Sequence, residues 1–283
     1  MPVSPESLPG VGRTALGVAG IRAMESRRAD RLFDDPYAQA FVEAGRVLFP
    51  ELQGCLTDSQ EREPSGIGAM FYPHAVVRTR FYDEFLLTAA AAGCRQVVLL
   101  AAGLDTRAFR LPWPKGVRVF ELDLPEVLQF KQRVLNGQTA TPACERTTLP
   151  VDLREPWAED LLAVGFQPSA ATVWLAEGLL VYLSYDEASG MLATVGELSA
   201  PSSRLSFEHT SHDDNGLLAR ARATPGVSRV TMMWKGGLGE RAPHWLAEDG
   251  WQCRIHSRTA LAAHYGRPLD EPSSGGFLTA KHT

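Results

Sequence analysis

The chain predicts an α/β fold on three observations. First, residues 97–111, VVLLAAGLDTRAFRL, read as an apolar strand that stops abruptly at small residues and then at Asp105. Four consecutive apolar residues suit a parallel strand covered on both faces, and Ala101, Ala102 and Gly103 let the backbone approach a bound molecule. Second, six more strand-like runs follow, separated by segments of helical periodicity, which is the alternation of a parallel sheet with crossover helices. Third, everything ahead of residue 97 has helical or loop character. The prediction is a Rossmann-like seven-stranded sheet that starts late, with N-terminal helices before it.

In chain order, a Pro- and Gly-rich leader precedes helices at 14–23 and 36–47, which are separated by the charged segment ESRRADRLFDD. The charges of RxxESRRADR, residues 22–31, read as a solvated helix face and cap. Residues 53–68 are polar and rich in Gly, Pro and Glu, a loop composition, and 75–92 return to helical spacing. The strands are expected at 97–102, 117–122, 146–151, 172–176, 204–209, 252–256 and 277–281, with a helix at 185–198 and a PSSGG turn before the last strand. Residues 210–241, containing HDDNG, TPGVSR and WKGGLGE, form an insertion that reads as a lid over a site. Residues 1–92 are thus a helical segment covering the site and 93–283 the core, effectively one domain. Repeats and low-complexity tracts are absent from the sequence.

Composition narrows the function. With 283 residues, 45% hydrophobic and 22% charged, the chain matches an ordinary globular protein with one sizeable core. A net charge of −5 and a pI of about 5.8 leave no basic footprint for nucleic acid. Cys55, Cys94, Cys144 and Cys253 are scattered without a CxxC pair, which points to reduced thiols rather than a zinc site or a disulfide framework. No secretory leader or membrane-spanning run is visible in the sequence, so a cytoplasmic location is expected.

In open parallel sheets, ligands lie beyond the carboxyl ends of the strands. Here those ends are polar: Gly103 and Asp105 after the first strand, Glu121 and Asp123 at the second, Asp152 at the third and Glu177 at the fourth. Singly, each would read as a cap or turn residue. Together they describe a rim suited to a ligand with hydroxyls, an exocyclic amine and a positive centre. A nucleoside carrying a sulfonium fits. The acid after the second strand, Glu121 or Asp123, stands about 20 residues beyond the glycine turn, where one carboxylate accepts both ribose hydroxyls. A nicotinamide dinucleotide needs a G-x-G-x-x-G turn to hold its pyrophosphate. This chain has AAGLDT instead. Asp105 would repel a pyrophosphate and suits the amino group or sulfonium of S-adenosyl-L-methionine.

Taken in order, AAGLDTRAFRL, FELDLPEV, PVDLREPW and WLAEGLLVYL resemble the leucine carboxyl methyltransferase family, with its bacterial small-molecule O-methyltransferase branch. RAMESRRADRLFDDPYA and VVRTRFYDEFL are similar to that family's N-terminal helices, so the resemblance runs from residue 14 to the end. It implies a class I methyltransferase sheet with S-adenosyl-L-methionine as donor. It further implies that Arg78 binds the donor's methionine carboxylate, with Arg80 as rival, and that the backbone at Ala101 and Gly103 touches the donor. Glu121 or Asp123 would recognise ribose, Asp152 and Leu153 adenine, and Glu177 the donor again. Ala101 stands where the family often has Gly, and Arg22 corresponds to a basic residue on the family's first helix.

Methyl transfer is an in-line displacement that profits from positioning. A carboxylate acceptor needs no base, whereas a phenol or alcohol benefits from one. Candidate bases are His209 and His212, with Tyr182 as a polar orienter and His74 as a further neighbour. Phe71, Tyr72, Trp234 and Trp245 are candidates for lining an acceptor pocket. The leading expectation is an O-methyltransferase acting on a carboxylate or hydroxyl of a small molecule such as a natural-product intermediate. Methylation of a protein C-terminal carboxylate, a non-catalytic donor-binding relative and, more remotely, a nicotinamide dehydrogenase are the alternatives.

Overall fold

The computed structural model describes residues 10–48, 67–209, 233–269 and 275–283. Its centre is a seven-stranded sheet in the order β3-β2-β1-β4-β5-β7-β6. The strands are β1 Gln96–Leu100, β2 Arg118–Asp123, β3 Glu145–Pro150, β4 Thr172–Ala176, β5 Arg204–His209, β6 Trp251–Ser257 and β7 Gly276–His282. All seven predicted strands are present, displaced by no more than a residue or two at their ends. The chain runs outward from β1 to β3 and then crosses back to β4, so the strand order reverses between β1 and β4. That switch point is where a ligand crevice forms.

One expectation is corrected. The first five strands are parallel, but β7 runs antiparallel to both β5 and β6. Period and composition are the same for a strand in either direction. What sets the direction is the connection, because a chain that leaves β6 and returns beside it at the same end of the sheet must reverse.

The helices are α1 Gly10–Ser26, α2 Ala38–Leu48, α3 Ile67–Ala91, α4 Arg107–Arg110, α5 Pro125–Gly137, α6 Ala158–Ala163, α7 Tyr185–Glu197, α8 Ala242–Glu248 and α9 Arg258–His264. Strand alternation divides the core into two layers. Val97 and Leu99 of β1 face Leu16, Val77, Phe81 and Phe130, while Val98 and Leu100 face Trp157, Trp174, Met191 and Leu192. The predicted four-residue apolar run is therefore buried on both sides, as a central parallel strand requires. Helix α7 starts on a capping box in which Ser184 Oγ accepts from Glu187 N and Glu187 Oε2 accepts from Ser184 N. Such a cap contributes about 1 kcal/mol.

Helix α3 begins eight residues before its predicted start and runs through Pro73, taking in two residues of the expected loop. The remainder of that loop lies outside the described residues, as do Cys55, His212 and residues 210–232 of the insertion. Residues 233–241 of the insertion form a turn and a single 3-10 turn, Gly239–Arg241, leading into α8. The charged N-terminal segment is not uniformly solvated: Arg22, Glu25 and Asp35 are buried. Glu25 accepts from Leu32 N at 2.7 Å, from Tyr72 Oη and from Arg267 Nη2, so the N-terminal helices are tied to the chain after α9. Cys94 is buried, and Cys144 and Cys253 are half-buried free thiols. Among the described residues no helix is long and apolar enough to cross a membrane.

Candidate active site

The turn after β1 is built around two residues in the left-handed region, Ala101 at φ +56° and Gly103 at φ +47°. Glycine takes this conformation without penalty, whereas a Cβ costs about 1–2 kcal/mol. The turn carries that strain at Ala101 because it is held from three sides. Ala102 N donates to Leu122 O at 2.9 Å, Asp105 N donates to Ala102 O at 2.9 Å, and Gly103 N donates to Asp123 Oδ2 at 2.6 Å. From α1, Arg22 Nη2 donates to Leu104 O at 2.6 Å while its Nε donates to Asp35. Arg22 thus acts on the turn through Leu104 O and is held there by Asp35.

Asp123 closes β2 with its two oxygens spanning Gly103 N and Leu124 N. Burial pushes its carboxyl up, against the pull of those two backbone donors. Glu121 is different. It is fully buried and ion-paired at 2.7 Å to both Lys131 of α5 and Arg146 of β3. The pair of acids left open by the sequence is therefore separated: Glu121 is enclosed by cations under α5, and Asp123 is the acid beside the glycine turn.

The fourth strand end brings together residues that the sequence scattered. Glu177 Oε2 accepts from Arg107 Nη1 at 2.6 Å, and its Oε1 lies 2.9 Å from Arg78 Nε. Arg78 Nη1 is 3.1 Å from Glu208 Oε1, and both Glu208 oxygens accept from Gly178 N at 2.9 Å. Arg107, 2% exposed, also pairs with Asp83 Oδ1 at 2.7 Å and with Asp105. Arg110 holds the other face of Asp83 at 2.7 and 2.8 Å. Burial raises and the two guanidiniums lower the Glu177 carboxyl, with a net downward shift.

Asp105 is thus bound up with Arg107 rather than presented alone to a ligand. Burial pushes its carboxyl up, but Arg107, Lys131 and the Arg107 backbone N–H overcome this and hold it at about 2. A carboxyl below its ordinary 3.8 contributes stability that is complete above about pH 4 and lost as pH falls toward 2, roughly 2 kcal/mol in all. Denaturant midpoints of the wild type should fall over that window. Asp105→Asn should flatten the slope; an unchanged slope would contradict the assignment.

Asp152 follows β3 half-exposed, held by Arg154 through Nε at 2.9 Å and through its backbone N at 3.0 Å, while Leu153 is buried in the core. The hydrogen bond to Arg154 lowers the Asp152 carboxyl. Arg80 pairs with Glu84 and donates to Leu32 O; of the two arginines, only Arg78 reaches the strand-end carboxylates.

A cavity of about 160 Å³ opens beside this cluster, lined by Arg78, Leu180, Phe207, Glu208, Trp234 and Arg258 among others. Trp234 is therefore placed as expected of a pocket residue. Trp245 packs on the core, and Phe71 and Tyr72 pack with Ile21 and Phe33. His209 is buried at the end of β5, Tyr182 ends a 3-10 turn and His74 lies within α3. None of the three is among the lining residues. A larger open groove of about 700 Å³ between α8 and β6, lined by Pro243, Trp251 and Thr283, touches none of the carboxylates.

Asp83, Arg107 and Glu208 were not singled out from sequence. Two signals were available. Arg107 sits two residues after the turn aspartate, and Thr79 and Asp83 share one helix face by their spacing of four. Glu208 adjoins His209 on a strand, so one of the two had to face α3.

Residues 15–196 match the leucine carboxyl methyltransferase family. The chain belongs to that family. It is an S-adenosyl-L-methionine-dependent methyltransferase. A protein from Frankia alni, named as a candidate S-adenosyl-L-methionine-dependent methyltransferase, is 50% identical over 276 residues, covering 96% of this chain and 94% of that one. A similarly named protein from Streptomyces coelicolor is 43% identical over 276 residues, 96% and 95% of the two chains. Among solved structures, a DUF574 family protein from Streptomyces avermitilis superposes with a TM-score of 0.56 at 15% identity, covering 95% and 97% of the chains. Magnesium protoporphyrin IX methyltransferase from Synechocystis, crystallised with bound SAH, gives 0.53 at 15% identity over 87% and 97%. These two likenesses show the class I methyltransferase fold.

The residues of this leucine carboxyl methyltransferase family member fit the donor. Arg78 Nε, though 2.9 Å from Glu177, makes no well-angled hydrogen bond. Its guanidinium therefore retains donor capacity for a carboxylate. Each oxygen of Asp123 accepts one backbone N–H and keeps a lone pair for a hydroxyl.

Proposed function

We propose that this protein transfers a methyl group to an oxygen, carboxylate or hydroxyl, of a small molecule such as a natural-product intermediate. The observation that carries the reading is the cavity of about 160 Å³ at the Arg78 and Glu208 end of the carboxylate cluster. Its size accommodates about one aromatic ring, since a cavity near 150 Å³ accepts benzene. An extended peptide tail would require a longer groove than the pocket of about 160 Å³ that the described residues form beside Arg78. That favours a small acceptor over a protein C-terminus.

S-adenosyl-L-methionine, when bound, supplies a methyl carbon activated by its positive sulfur. Arg78 would take the donor carboxylate and Asp123 the ribose hydroxyls, with the strained turn at Ala101 and Gly103 bringing backbone close. Asp152 and Leu153 would bound the adenine. Glu177, kept ionised by Arg107 and Arg78, places negative charge near the sulfur end of the donor. Asp105 contributes indirectly, by fixing Arg107. Most of the acceleration would come from holding the acceptor oxygen and methyl carbon about 3–3.5 Å apart and in line.

The test is calorimetry with S-adenosylhomocysteine, followed by a screen of carboxylic acids and phenols with labelled donor. Binding with a labelled small-molecule product is expected. Absence of binding would overturn the reading, and binding without any product would favour a donor-sensing relative. Asp123→Ala should weaken S-adenosylhomocysteine binding by about 10- to 100-fold, the value of one or two charge-assisted hydrogen bonds, without unfolding the domain. Undiminished affinity would remove Asp123 from the ribose site.

A further inference from the structure

Glu208 and His209 close β5 side by side, and strand alternation sends them to opposite faces. His209 shares the face of Leu205 and Phe207, whereas Glu208 points to the α3 side, meets Arg78 and lines the cavity. The groups around Glu208 are Arg78 from α3, Glu177 and Gly178 N after β4, Tyr82 from α3 and Arg258 from α9. Glu177 and Glu208 flank one guanidinium, but their surroundings differ. Glu177 has a second cation in Arg107, while among the described residues the ion pair of Glu208 is with Arg78.

That asymmetry drives the two carboxyls apart: burial raises Glu208, while Arg107 and Arg78 outweigh burial and lower Glu177. Two carboxylates with separated affinities for a proton are the usual arrangement of acid–base assignments. With Arg78 engaged by the donor carboxylate, a carboxylate acceptor would meet Glu208 as a like charge and would have only Arg258, of the cations lining the cavity, to offset it. A neutral hydroxyl would meet a buried proton acceptor, with Leu180 and Trp234 among the apolar residues that line the cavity.

We propose that Glu208, not His209, takes the proton of a neutral hydroxyl, and that the acceptor is a phenol or alcohol on an apolar body of about one ring. This rests on the methyltransferase reading above and narrows its acceptor class. The acceptor O–H proton passes to a Glu208 oxygen, and the oxygen lone pair forms the new O–C bond. The C–S bond breaks with its electron pair going to sulfur, leaving a neutral thioether, and Glu208 returns the proton to solvent.

The experiment compares the wild type with Glu208→Gln, using labelled donor and three probes: phenol, 4-nitrophenol and benzoic acid. Phenol should be methylated, and Glu208→Gln should lower its kcat by about 10²-fold or more while leaving KM within a few-fold. The more acidic 4-nitrophenol, ionised without help, should lose far less. Quenching of tryptophan fluorescence by phenol, measured with S-adenosylhomocysteine present, should give similar Kd values for both proteins. Methylation of benzoic acid but not phenol, equal losses for the two phenols, or no turnover of phenol by wild type that binds S-adenosylhomocysteine would each overturn the proposal and leave the methyltransferase reading standing. Only failure of the wild type to bind S-adenosylhomocysteine would overturn both.

Discussion

The Arg107→Leu protein is expected to lose about 3–5 kcal/mol of stability, the cost of stranding buried charges by removing their partner. Arg107 is nearly inaccessible and meets three carboxylates, Asp83 at 2.7 Å, Glu177 at 2.6 Å and Asp105. Its Nη2 also reaches Thr79 O at 3.4 Å. Burial lowers its proton affinity, but the three acids outweigh this and raise it well above the ordinary value. Leucine would fill part of the volume and satisfy none of these acids. Arg110 would still neutralise Asp83, and Arg78 would still reach Glu177, so the loss falls hardest on Asp105. Against a typical total of 5–15 kcal/mol, the variant should be marginally folded. Urea denaturation followed by circular dichroism measures this directly, and a loss below about 1 kcal/mol, the range of exposed pairs, would show that the network behaves as if solvated.

Arg78→Ala should weaken S-adenosylhomocysteine binding by about 30-fold to several thousand-fold, the usual cost of truncating one partner of a buried charge pair, about 2–5 kcal/mol. Stability should suffer less than in the Arg107 variant. Glu177 keeps Arg107, and Glu208, already raised by burial, can take a proton rather than remain an unpaired charge. Arg78→Lys should recover only part of the affinity, because an ammonium cannot reproduce the planar fork. Arg80→Ala is the internal control. Its side chain is spent on Glu84 and Leu32 O, so donor affinity should be unchanged. Equal losses at both positions in calorimetry would refute the assignment of Arg78.

Much of this was legible in the residues. Strand β1 announced itself because a buried parallel strand must be apolar on both faces, and its end because the backbone there turns through left-handed conformations at Ala101 and Gly103. Asp123 and Glu177 were marked by standing at strand ends. What stayed hidden were the partners. Asp83 lies in the middle of a helix and Arg107 in a four-residue one, and nothing local distinguishes a buried charge from a solvated one. For the same reason Glu25 reads as a surface charge in the sequence, although distant groups, Tyr72 and Arg267, enclose it.

The sequence by itself determined the fold class, the seven strands, the glycine turn and the family, because these depend on periodicity and on motifs contiguous in the chain. The tertiary structure decided which charged groups meet. It enclosed Glu121 between Lys131 and Arg146 while leaving Asp123 at the turn, tied Asp105 to Arg107, and set Glu208 rather than His209 in the cavity wall. It also reversed β7. The physical reason is common to all of these. Burial and pairing are properties of contacts between segments far apart in the chain, and a side chain's charge has its chemical meaning only once those neighbours are in place.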